Sequence, residues 1–175
     1  MKKAILSLVM LIIAICTYGQ DASYLIKQYK KVKGAKYENM TKQVKKTAKK
    51  EKYINPEFYE LSCKIKNTEV VTVNLSEDER EALTTNIEGI EGFKSLYQKK
   101  SNATNMLSDN WSLFKESQYF GIEENGIIKD AIIRIDATSQ NDIITVIIHI
   151  EGELTPEEVM KAVQLDERKS IKYED

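Results

Sequence analysis

Histidine is nearly absent from this chain: His149 is the only one, beside two cysteines, two prolines, seven glycines and one tryptophan in 175 residues. A tetrahedral zinc site draws four ligands, mostly Cys and His, and this inventory cannot supply them. The few prolines and glycines exclude a disordered or linker-rich chain. No glycine-rich phosphate loop is present, because Gly89, Gly92, Gly121 and Gly126 stand singly. Glu77-Asp78-Glu79 and Glu157-Glu158 lack the spacing of a calcium loop and fit better as acids at helix N-termini. Nothing marks a nucleophile beside a base or an oxyanion donor, so a non-enzymatic protein without cofactor or metal is expected.

Long apolar runs are also scarce, with one exception at the start. Met1-Lys2-Lys3 is followed by an apolar stretch from Ala4 to Cys16, broken only by Ser7, and then by Thr17-Tyr18-Gly19-Gln20. A positive head, a short apolar core and small residues before Gln20 make the pattern of a secretory signal covering residues 1–19. The run falls short of the roughly 20 residues a membrane span needs. Ile15 before Cys16 is a poor match to a lipid-attachment site, so a lipoprotein is not expected and Cys16 leaves with the leader. Cys63 then remains alone, unable to form an internal disulfide and expected as a buried core thiol. Removing the leader takes two of the 26 basic residues and none of the 27 acidic ones. Residues 20–165 suit a single domain, followed by a charged tail over 166–175.

Periodicity places the elements. Tyr24, Leu25, Tyr29 and Val32 recur at helical spacing over Ala22–Lys33, with Gly34 as a stop. A short strand over Ala35–Met40 is followed by a helix from Thr41 to Lys52, with Met40, Val44 and Ala48 as a thin apolar stripe. Tyr59–Leu75 reads as β-like from its Val, Ile, Tyr and Thr content. Ser76 with Glu79 forms a capping-box signature for a helix over Glu77–Ile87. Phe93–Gln98 reads as a strand, and Asn102–Glu116 as a helix lined by Met106, Leu107, Trp111 and Phe114.

The C-terminal third carries the clearest pattern. Three strand-like runs, Tyr119–Glu123, Ile127–Asp136 and Ile143–Glu151, are joined by Asn125-Gly126 and by a polar turn over Ala137–Asp142. Short connections between successive strands make an antiparallel meander. Thr155, Pro156 and Glu158 then open a last helix, with Val159, Met160 and Val163 turned to the sheet. The fold class expected is α+β: a two-layer domain, mostly antiparallel, whose C-terminal three-stranded meander is packed by helices, with one sheet face left more open.

Two groups of residues are candidates for binding. Alternation puts His149 on one strand face with Thr145, Ile147 and Glu151, and a paired neighbour would bring Arg134, Asp136 and Asp130 to the same face. Such a face could bind a small ligand, or it could carry only ordinary cross-strand charge pairs. The second group is basic. Eleven lysines stand against three acids between Asp21 and Lys52, and Lys42, Lys45, Lys46, Lys49 and Lys50 share the second helix. They could meet an anionic surface such as lipid headgroups or lipopolysaccharide, or form a solvated face. Nucleic acid is disfavoured by export and by the lack of interleaved aromatics.

An opening helix with Leu25-Ile26-Lys27-Gln28-Tyr29, a capped helix after Val71-Thr72-Val73-Asn74-Leu75, Tyr119-Phe120-Gly121-Ile122, and Ile147-Ile148-His149-Ile150-Glu151-Gly152 running into a helix form a set. In order and character it resembles the DUF4252-type exported proteins of Bacteroidota. The resemblance implies a cell-envelope or periplasmic protein and transfers no catalytic residue. The expectation is a protein-interaction module, binding an envelope protein through the open sheet face or the basic helices. The alternatives are association with a membrane or lipopolysaccharide surface through the lysines, and a ligand site or enzyme around His149.

Overall fold

The structure, a computed structural model, describes residues 21–100, 113–139 and 142–162. The leader expected over residues 1–19, Cys16 and the tail expected over 166–175 lie outside the described residues. Among those described, no helix is long and apolar enough to cross a membrane.

The chain opens with α1 (Ala22–Tyr29), started by the Asp21 carboxylate accepting from the Tyr24 amide at 2.6 Å. Gly34, with a φ of 83°, supplies the left-handed turn into β1 (Lys36–Asn39). Helix α2 (Thr41–Glu51) keeps the expected stripe, with Ala48 buried and Val44 half-buried. Next comes α3 (Pro56–Lys64), where the β-like reading of Tyr59–Leu75 does not hold throughout. Asn55 caps it by accepting from the Phe58 amide at 3.1 Å, and Pro56 sits in the first turn, where its missing N–H costs nothing. This local start signal outweighs the β propensity of Phe58 and Tyr59. In a helix Phe58 and Leu61 turn inward while Cys63 falls on the outer side. Cys63 is therefore exposed, not the buried core thiol expected.

β2 (Ile65–Asn74) leads to α4 (Glu77–Glu88), which has both halves of the capping box between Ser76 and Glu79. β3 (Lys94–Lys100) follows. The helix expected over Asn102–Glu116 is not present at its C-terminal end: Leu113–Glu116 is already the start of β4 (Leu113–Glu124). Residues 101–112 lie outside the described residues. β4 turns into β5 (Ile127–Ser139) through Asn125 and Gly126, at φ 54° and 78°, the two positive values of a type I′ turn. β6 (Asp142–Leu154) completes the meander. The final helix, α5 (156–162), starts with a reciprocal cap in which Thr155 and Glu158 each receive the other's amide. Val163 lies outside the described residues.

All six strands pair antiparallel in one sheet of order β1-β2-β6-β5-β4-β3. The fold is α+β, with the C-terminal meander β4–β6 packed against helices. Helices meet the sheet on both faces, so neither is the broad open face that alternation suggested. On one face Leu25 and Ile26 of α1 and Leu83 and Ile87 of α4 pack on Val71, Phe120, Ile132 and Ile147. On the other, Leu61 of α3 and Val159 of α5 pack on Ile133, Ile148 and Ile150, with Val44 of α2 alongside. An ion pair of 2.5 Å between Lys64 and Glu158 joins α3 to α5.

Candidate functional site

The strand register decides which polar residues meet on the face under α1 and α4. Opposite His149 of β6 stand Glu69 of β2 and Ile132 of β5, and opposite Ile147 stand Val71 and Arg134. His149, Asp130, Arg134 and Asp136 therefore do share one face. They do not form one site. Ile132 and Ile147, both fully buried, separate a histidine cluster from an arginine cluster.

At the histidine end, Nδ1 lies 3.2 Å from Glu69 Oε2 and Nε2 lies 2.9 Å from Asp130 Oδ1, with Glu151 Oε1 at 3.7 Å. A carboxylate only accepts, so both ring nitrogens must donate, which the imidazolium alone can do. Burial by itself pulls the His149 pKa down. The hydrogen bond and charge of Asp130, then Glu69 and Glu151, outweigh it and hold the pKa above the usual 6.5. Burial likewise pushes Glu69 up, but the Tyr37 and His149 hydrogen bonds bring it below the ordinary carboxylate value. Tyr37 of β1 donates to Glu69 Oε1 at 2.5 Å, which raises the phenol's own pKa. His149 has no exposed surface, and both nitrogens are engaged. A general acid or base must reach a substrate proton, and this imidazole reaches none.

At the other end, Arg134 donates to the Arg80 carbonyl at 3.0 Å, to Thr84 Oγ1, and through Nη2 to Asp136 Oδ2. Asp136 also accepts from Thr145 at 2.8 Å and lies 3.8 Å from the Arg80 guanidinium. A groove of about 500 Å³ opens above this pair, between Arg80 and Thr84 of α4 and Gln118 of β4. Its floor is a pair of buried charges already bonded to protein, and its rim carries Glu77, Glu81 and Glu116.

The five candidate lysines behave differently. Lys42, Lys45, Lys46, Lys49 and Lys50 are all exposed, and none makes an ion pair among the described residues. At 100° per residue they span an arc of roughly 140°, on the side of α2 away from Val44 and Ala48. One apolar stripe fastens the helix and the opposite arc is uniformly positive. The only acid in the helix is Glu51, at its last position.

Glu69, Tyr37, Arg80 and Thr84 were not among the sequence candidates. Glu69 is in phase with Val71 and Val73, which is a signal of facing the core. Its meeting with His149 depends on β2 pairing with β6, 80 residues away. Helix phase alone does not say that Arg80 and Thr84 lie over β5. No group of three or more metal-type side chains arranged to hold an ion occurs among the described residues. No family model, curated protein or solved structure matches the chain.

Proposed function

We propose that the protein is a non-enzymatic binding module of the cell envelope that docks onto an anionic surface through the lysine face of α2. The observation that carries this reading is the arrangement of Lys42, Lys45, Lys46, Lys49 and Lys50: five exposed charges of one sign, with no ion pairs among the described residues, on a helix held from behind by Val44 and Ala48. A patch of this kind recruits carboxylate- or phosphate-bearing surfaces and weakens as salt screens it. Of the two docking surfaces expected from sequence, the sheet face is covered by helices, and the basic helix remains.

A salt titration tests the reading. Binding to an immobilised polyanion should fall at least about tenfold as ionic strength rises from roughly 0.05 to 0.5 M, because the Debye length shrinks from over ten to a few ångströms. Replacing Lys45, Lys46, Lys49 and Lys50 by Gln should remove the same binding at low salt while leaving the circular dichroism spectrum unchanged. Retention by the quadruple variant equal to the parent's would defeat the reading.

A further inference from the structure

The corner between α2 and α3 carries a second feature beside the lysines. Tyr53 and Ile54 are 92% and 86% exposed, whereas the other exposed large apolar side chains, Tyr24, Tyr37 and Tyr97, lie between 38% and 45%. Single exposed apolar residues are ordinary on protein surfaces. Two in succession, almost wholly in water, are not explained by any packing within the described chain.

The corner is also firmly built. The Ile54 and Asn55 amides donate to the Glu51 carbonyl at 2.9 and 2.7 Å, which carries the helical turn past the end of α2. Asn55 then caps α3 and Pro56 opens it, so the chain turns sharply between two helices. Continuing the turn places Tyr53 seven residues beyond Lys46, two turns along the same side of the helix. Tyr53 therefore continues the lysine arc, and Ile54 stands beside it at the same end of the helix, about 100° further round. Lys52 lies 5.9 Å from the Tyr53 ring and 5.0 Å from the Tyr59 ring, flanking the tip with a further positive charge.

We infer that Tyr53 and Ile54 form a membrane-inserting tip, and that the anionic surface met by α2 is a lipid bilayer carrying negatively charged headgroups. The inference rests on the reading of α2 as a docking face and names its partner. Lysines along the helix would lie against the headgroup charges. The tip would enter the boundary between headgroups and acyl chains, where an aromatic ring with one polar end and a branched aliphatic side chain both find a suitable environment. An acidic protein would satisfy the lysines equally well. It would need a dedicated pocket to explain why two adjacent apolar side chains are held out at the corner.

The test uses the protein in co-sedimentation with vesicles of phosphatidylcholine alone, and of phosphatidylcholine with phosphatidylglycerol, beside soluble polyglutamate as a lipid-free polyanion. Binding is expected to the anionic vesicles and not to the neutral ones. The double variant Tyr53→Ser, Ile54→Ser should bind anionic vesicles about tenfold more weakly, or less tightly still, and bind polyglutamate as the parent does. Both positions are exposed, so the variant should melt with the parent. Vesicle binding by the double variant equal to the parent's would overturn the tip while leaving the lysine face intact. Capture by polyglutamate without any binding to anionic vesicles would also overturn it and point to an acidic protein. Binding to neither polyanion nor vesicle would remove the docking face itself.

Discussion

The two ends of the sheet face beneath α1 and α4 are built from the same strands but from chemically different ions. At one end a histidine with no exposed surface lies between Glu69 and Asp130. At the other, Arg134 and Asp136 floor a groove that opens to solvent. Guanidinium keeps its proton at any pH a protein survives, whereas imidazolium changes charge near neutrality. The arginine end is an electrostatic joint between β5 and α4, and the histidine end is a titratable one joining β1, β2, β5 and β6. The histidine cluster also holds an excess of acid. One imidazolium faces Glu69, Asp130 and Glu151, whose side chains keep 14%, 25% and 38% of their surface in water. That partial exposure makes the excess tolerable.

The largest effect is expected at the arginine end. Arg134→Leu would leave Asp136, with a side chain only 5% exposed, facing Thr145 and a more distant Arg80. Breaking a buried pair in this way should cost about 3 kcal/mol or more in urea denaturation. Adding Asp136→Asn should return a large part of it. A loss that stays the same in the double variant would show that packing, not the ion pair, holds this end.

The histidine end should make stability depend on pH through His149 and Glu69. A folded pKa above 6.5 makes the His149 contribution complete below about 6.5 and progressively lost as pH rises through the folded value. Glu69, held below its ordinary value, has the opposite sign: its contribution is present above about 4.5 and lost as pH falls through its folded pKa. The parent should therefore show a stability plateau between the two limbs. His149→Gln should lower the plateau by roughly 2 kcal/mol and flatten the neutral-to-alkaline limb. Arg134→Leu should lower the curve and keep that limb. An equally steep limb in His149→Gln would assign the pH response to another group.

The smallest effect is expected at the margin of the histidine cluster. Tyr37→Phe removes one hydrogen bond to Glu69 from a phenol that is 38% exposed, and should cost about 0.5 kcal/mol. Its sharper readout is the acid limb, which should move to higher pH as Glu69 loses the donor that lowers its pKa. An unmoved limb would separate Tyr37 from the titrating cluster.

What could be read from the chain before its structure follows the reach of the signals. The caps at Ser76 and Thr155, the Asn125-Gly126 turn and the Val44–Ala48 stripe each act within four residues, and each stands where expected. The five lysines were legible for the same reason, since one helix phase decides both what is anchored and what is exposed. α3 was not legible because the Val, Ile, Tyr and Thr content of Tyr59–Leu75 masks the Asn55-Pro56 start, and Cys63 departs from the usual burial of free cysteines because it falls on the outer side of that helix. The polar face was half legible. Alternation put His149, Arg134 and Asp136 on one side, but their division into two clusters needed the β2–β6 register and the placement of α4. Strand phase does not carry information across 80 residues.

The same β2–β6 pairing bears on the order in which the molecule can assemble. The meander β4–β6 closes through a two-residue turn and one other short connection, whereas β2 must find β6 across most of the domain. Closing a long loop costs entropy before any contact offsets it, so the meander should form first and β2 should add to its free edge later. β1 pairs with β2, and the start of α2 is bonded to β2 through Thr41 and Thr68. A chain emerging slowly from a narrow exit would therefore hold its N-terminal third unassembled until the C-terminal strands had arrived. The lysine face would be the last part of the molecule to gain its shape.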